Sequence, residues 1–161
     1  MDSQDKELLR QASSLMKQQD FAGAISLLKN TSSENELLLG LLSAAYAEVG
    51  LVAEAEATLD RLVLFHPENH LALFQLGMFK YQRGLSDEAF ALWKPLANQP
   101  LDLAAAFALA QAHYEQGLIE DAYNYVQSLK SRMPADHAAM GRLQALESNV
   151  LEVARANGLD I

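Results

Sequence analysis

The sequence predicts an all-α protein of stacked helical hairpins closed by a C-terminal capping helix, and three observations carry that expectation. A six-residue phrase recurs as GLVAEA at 50–55, GLSDEA at 84–89 and GLIEDA at 117–122. From Gly50 to Gly84 is 34 positions and from Gly84 to Gly117 is 33, the period of arrays that spend one helical hairpin on each repeat. Alanine and leucine dominate while β-branched residues are sparse, which favours helix over sheet.

Each part of the phrase has a physical reason. The glycine can enter the left-handed conformation that ends a helix without Cβ strain. The leucine after it can pack back on the last turn of that helix. The acids Glu54, Asp87, Glu88, Glu120 and Asp121 fall in the first turn of the following helix, at the positive end of its macrodipole. The alanines Ala55, Ala89 and Ala122 are small where two antiparallel helices must approach closely. Pro67, Pro100 and Pro134 follow eleven or twelve residues later and stop the second helix. An earlier, looser copy lies in QQDFAGAISLL, where Ala24 takes the alanine role and Asp20-Phe21 stands for Gly-Leu. Each unit therefore reads helix A, tight turn, helix B, turn. In the best copy helix A spans about 70–83 and helix B begins near Ser86. Pro95 predicts that this helix B ends early or kinks near Lys94. After Pro134 one long helix is expected over about 136–156, with Met140, Leu143, Leu146, Val150 and Val153 as its apolar stripe and Asn157-Gly158 as its end. The expected organisation is a single domain over 1–161, with hairpins at about 5–34, 36–69, 70–102 and 103–135 and a capping helix at about 136–157.

These residues resemble the tetratricopeptide repeat (TPR) family, whose pattern runs W-x₂-L-G-x₂-Y, then A-x₃-F, then P. The copy starting near His70 carries Leu73, Leu76, Gly77, Ala89 and Trp93 at matching places, with Lys80 at the tyrosine position. The copy before it carries Leu39, Leu42, Tyr46, Ala55, Leu59 and Pro67, with Ser43 for the glycine. The copy after it carries Leu109, Ala110, Ala122, Val126 and Pro134, with His113 at the tyrosine position, where it most simply replaces a core ring. The resemblance covers about 5–134. It implies a right-handed superhelix whose A helices line a concave groove, and a role in binding other proteins.

Composition narrows the chemistry. The 161 residues are half hydrophobic, enough for a real core, and include no cysteine, so disulfides and thiolate chemistry are excluded. The formal net charge of −9 disfavours nucleic acid and anionic membrane surfaces. The polar start MDSQDKELLR lacks the pattern of a signal peptide, and the apolar stretch at 37–50 is too short to span a bilayer, so the expected location is cytoplasmic without membrane insertion. No phosphate loop or nucleophile elbow occurs, and no cofactor is expected. His66 and His70 in HPENH share an i, i+4 spacing, but Pro67 puts them in a turn and no third ligand is in view, so no metal is expected. An enzyme is therefore not expected.

Helix A of the third unit is apolar on more than one face. Leu73, Leu76 and Gly77 suit packing on its own helix B, while Phe74, Met78 and Tyr81 form a second stripe. One repeat later the stripe becomes Phe107, Gln111 and Tyr114; one repeat earlier it is Gly40, Ala44 and Ala47. In the family's geometry the stripe faces the groove, with Glu48, Gln82 and Glu115 as an acidic edge. Core packing under adjacent repeats or the terminal helix is the competing reading. TPR proteins that grip the acidic tail of heat-shock chaperones place lysine, arginine and asparagine in the groove; the matching positions here hold Leu9, Ser13, Leu41, Leu71 and Gln75, so that ligand class is disfavoured. The expected function is a non-enzymatic adaptor or chaperone-like scaffold binding an apolar peptide or helix of a partner. The alternative is a self-assembling scaffold that pairs through its groove or an end face as a homodimer.

Overall fold

The computed structural model describes residues 3–99 and 103–161. Among the described residues there are nine α-helices and no strand. The chain divides into two compact units, Met1–Leu85 and Ser86–Ile161. The division falls inside the third expected hairpin. Pro100 lies outside the described residues.

The first unit holds α1 (Ser3–Lys17), α2 (Phe21–Leu28), α3 (Glu36–Glu48), α4 (Val52–Phe65) and α5 (His70–Gln82). Here α1 packs on α2 and α3, α2 on α3, α3 on α4, and α4 on α5. The second unit holds α6 (Ser86–Ala97), α7 (Leu103–Glu115), α8 (Ile119–Arg132) and α9 (Met140–Ala156). Here α6 packs on α7, α7 on α8, and α9 covers α8 while reaching α7.

The repeated alanines sit where the helices press together. Ala24, Ala55, Ala89 and Ala122 expose no surface, and the residues four positions on, Leu28, Leu59, Trp93 and Val126, are buried beside them. The repeated glycines turn the chain. Gly50, Gly84 and Gly117 have φ of +77°, +80° and +76°. Gly50 N donates to Ala47 O at 3.0 Å and Leu51 N to Tyr46 O at 2.9 Å, the paired bonds of a Schellman ending, and the same pair closes α5 and α7. The leucines pack back less than expected, since Leu51 and Leu118 remain 42% and 44% exposed. The acids are placed as expected, in the first turns of α4, α6 and α8.

The first turn corrects the sequence reading by one residue. Gln19-Asp20, not Asp20-Phe21, stands for Gly-Leu. Gln19 takes φ +59°, and Gln19 N and Asp20 N donate to Met16 O and Leu15 O in the same paired pattern. Asp20 is then free to cap α2, its Oδ1 accepting from Gly23 N at 2.9 Å. A Cβ on Gly23 would collide with that carboxylate.

Two further expectations are corrected. Pro95 does not end α6, which continues to Ala97. Proline removes one backbone donor, but Leu96 and Ala97 are buried and Arg132 Nη1 donates to Ala97 O at 2.6 Å, so packing and a borrowed donor hold the final turn. The terminal helix begins at Met140 rather than Asp136. Two successive turns, His137 N to Pro134 O and Met140 N to His137 O, occupy the intervening residues. Leu143, Leu146 and Val150 from its expected stripe are buried.

Lys80 explains its own departure from the family tyrosine. Its Nζ lies 3.5 Å from Oε1 of buried Glu56 on α4, and Arg83 Nη1 lies 2.6 Å from the other oxygen. The long stem fills ring space while the ammonium meets a buried carboxylate that would otherwise be unpaired.

Gln19 holds a left-handed backbone that costs a non-glycine residue about 1–2 kcal/mol. Gln19→Gly should stabilise the protein by about 0.5–1 kcal/mol, and Gly84→Ala should destabilise it by about 1 kcal/mol, in urea denaturation followed by circular dichroism.

Candidate functional site

The A helices of the first unit are aimed by side-chain caps. Asn35 Oδ1 accepts from Leu37 N at 3.0 Å and Leu38 N at 3.4 Å to start α3. Asn69, 34 positions later, accepts from Ala72 N at 2.9 Å to start α5. The irregular stretch before α3 is held by α4, where Arg61 donates to Thr31 O and Ser33 O, and His66 Nε2 donates to Glu34 O at 2.6 Å. His66 thus fastens a loop. No group of three or more His, Cys, Asp or Glu side chains among the described residues is placed to hold a metal ion.

With the helices so placed, α1, α3 and α5 wall a cleft of about 460 Å³. Leu9 and Ser13 enter it from α1, Leu37, Gly40 and Leu41 from α3, and Leu71, Ala72 and Gln75 from α5, while Leu62 of α4 also lines it. The wall is mostly aliphatic. Leu9 and Leu41 are backed by the core cluster of Ala12, Leu28, Leu38 and Leu42. Leu37 and Leu71 stay 53% and 65% exposed, unusual for leucines. Gly40 keeps the cleft open, since a Cβ there would meet only Leu62 Cδ1 at 4.0 Å. Glu36 and Asn69 close one side, with Asn69 Nδ2 donating to Glu36 Oε2 at 3.1 Å. The five positions where chaperone-binding relatives carry their charged clamp, Leu9, Ser13, Leu41, Leu71 and Gln75, all line this cleft.

The stripe residues lie elsewhere. Phe74, Met78 and Tyr81 are half-buried on α5 and none of them lines the cleft. Phe107, Gln111 and Tyr114 are half-buried on α7, in the second unit. Arg142 of α9 lies over the Phe107 ring at 4.9 Å, so the capping helix does reach that stripe. Gln111 Nε2 donates to Glu115 Oε1 at 2.8 Å. His113 behaves as a core ring. It is buried, stacks on Phe90 at 4.5 Å, lies 5.3 Å from Tyr125, and its Nδ1–H donates to Leu109 O at 2.7 Å. Burial, and then the Asp121 carboxylate, raise the Tyr125 phenol above its ordinary pKa. Sequence reasoning missed the paired asparagine caps, although their 34-residue spacing was a signal, and it missed that the leucines at the clamp positions form a cleft of their own.

Repeated alanine-packed hairpins, Schellman turns and a cleft walled by A helices define the stacked-hairpin class of protein interaction folds. The fold is that of the tetratricopeptide repeat proteins, and residues 15–76 match the tetratricopeptide repeat family profile. Among solved structures, the chain is similar to a MamA point mutant, with 20% identity, TM-score 0.76, and coverage of 96% of this chain and 85% of that one. It is similar to MamA from Desulfovibrio magneticus RS-1, with 17% identity, TM-score 0.73, and coverage of 97% and 98%. A point variant of a Podosopora anserina kinesin-light-chain-like protein of nearly identical TPR-like repeats gives 19% identity, TM-score 0.70, and coverage of 98% and 89%. No curated protein matches the chain in sequence. No helix among the described residues is long and apolar enough to cross a membrane.

Asn69 both caps α5 and orients Glu36. Asn69→Ala should cost about 1 kcal/mol of stability, read by chemical denaturation, and Asn69→Asp should recover most of that loss because a carboxylate also caps.

Proposed function

We propose that this chain is a non-enzymatic protein-binding module, cytoplasmic and adaptor- or chaperone-like, that holds an apolar peptide or helix of a partner protein against its A helices. One observation supports this above the rest: Leu37 and Leu71 are exposed beside an open cleft in a wall that the core holds in place. Exposed leucine costs solubility and is better explained by a surface that is covered when in use. The cleft leucines would supply the desolvated area. On this reading Phe74, Met78 and Tyr81 extend the contact along α5, and Phe107, Gln111 and Tyr114 offer a second contact on α7. Rings there would add area and Gln111 would add hydrogen bonds.

A self-assembling scaffold is the second reading, favoured by Leu64 at 75% exposure and the neighbouring exposed Phe65 on α4. Light scattering across a hundredfold concentration range separates the two. A monomer supports the partner reading, whereas a dimer disrupted by Leu64→Glu supports assembly.

The direct test is affinity capture from source lysate with wild type, Leu71→Glu, Gly40→Leu and Tyr81→Glu/Phe107→Glu, each checked for fold by circular dichroism. Leu71→Glu should abolish capture of the partner by placing a charge in the apolar wall. Gly40→Leu should weaken capture by filling the floor. If all four capture the same proteins, or none captures any, groove binding is wrong.

A further inference from the structure

The cleft is selective for charge, and this selectivity rests on the groove reading above. We infer that its occupant is a cationic amphipathic helix, with leucine-like side chains on the cleft wall and a lysine or arginine against Glu36.

Glu36 is the one ionisable side chain among the described residues that line the cleft. Asn69 Nδ2 holds its Oε2 at 3.1 Å and fixes where the carboxylate sits, and no ion pair among the described residues neutralises it. The contrast with Glu7 on neighbouring α1 is direct, for both Glu7 oxygens are taken by Arg10, and Gln11 adds a third bond. A carboxylate at the edge of an aliphatic wall attracts a cation more strongly than one in open water, because one side of the field is in low dielectric. No lysine, arginine or histidine lines the cleft, so an anionic ligand would find no counter-charge there and would also meet a chain of net charge −9.

The spacing of the wall suits a helix. Leu9 and Leu41 come from α1 and α3, which pack directly, and Leu71 follows from α5. Packed helix axes lie about 8–10 Å apart. A ligand helix rises about 1.5 Å per residue, so side chains seven apart are separated by about 10.5 Å and meet successive A helices in register. The arrangement asks for apolar residues at i, i+3 or i+4, and i+7, with one basic residue at the end that reaches Glu36.

Two fluorescein-labelled helical peptides, identical in their leucine stripe but carrying lysines or glutamates at the flanks, test this by anisotropy at low and physiological salt. Wild type should bind the lysine peptide about tenfold more tightly, with a preference that shrinks as salt rises. Glu36→Lys should reverse the preference, and Glu36→Gln should erase it, while both variants keep their helicity. If both peptides bind wild type equally and Leu71→Glu abolishes both, the apolar cleft stands and the charge selectivity is overturned. If neither peptide binds wild type, the groove reading fails and this inference fails with it. If the protein instead self-associates and Leu71→Glu makes it monomeric, the occupant is a second copy and the cationic helix is overturned.

Discussion

The close approach of helix to helix at four buried alanines is the constraint from which the repeats follow. Ala24, Ala55, Ala89 and Ala122 expose no surface. A larger side chain at any of them would force the helices apart and unseat the residue one turn on, which is Leu28, Leu59, Trp93 or Val126 and is also buried. That contact needs the chain to reverse tightly just before it, and the left-handed residue at Gln19, Gly50, Gly84 and Gly117 reverses it five positions upstream each time. Turn and alanine are therefore one device. Within the first unit the device also decides which faces of α1, α3 and α5 are left over to form a cleft.

Polar contacts then set details that packing leaves free. Arg61 and His66 fasten the stretch before α3 to α4, so the shortened junction after α2 does not misplace the next repeat. Glu56 joins α4 to α5 through Lys80 and Arg83. A buried ion pair of this kind adds little net stability, because desolvation offsets most of the attraction, but a carboxylate stripped of either partner would be costly. Its contribution is to fix which turn of α5 lies against α4. That in turn fixes where Leu71 and Gln75 meet the cleft.

What the sequence made legible was whatever depends on spacing. The glycines, alanines and first-turn acids each follow from a local rule repeated at 33–34 residues, and the helices containing them lie within a residue or so of expectation. What it hid depends on contacts between distant residues. The carbonyl of Ala97 borrows Arg132, 35 positions away, so a rule about Pro95 taken alone stopped the helix too soon. Lys80 looked like a lost tyrosine until Glu56 was placed beside it. Gln19 escaped because the left-handed conformation in this chain is otherwise confined to glycine among the described residues. The stripe of Phe74, Met78 and Tyr81 was found by periodicity, but periodicity does not say which of two adjoining faces of α5 opens onto a cleft.

The same limit shows why five positions read as an absence have positive content. Leu9, Ser13, Leu41, Leu71 and Gln75 lack the charges that would grip an acidic tail, and from the sequence they say only what the groove does not hold. Set side by side by α1, α3 and α5, three of the five are aliphatic and face one space, and the carboxylate of Glu36 stands at its edge. Exchanging a cationic groove for an aliphatic one changes the physics of recognition. Charged clamps draw affinity from a few directional bonds, which salt weakens. An aliphatic wall draws it from area removed from water, which salt hardly touches, and leaves discrimination to the few polar groups at the rim. In this cleft those groups are Glu36, Asn69, Ser13 and Gln75, and only the first of them has a sign.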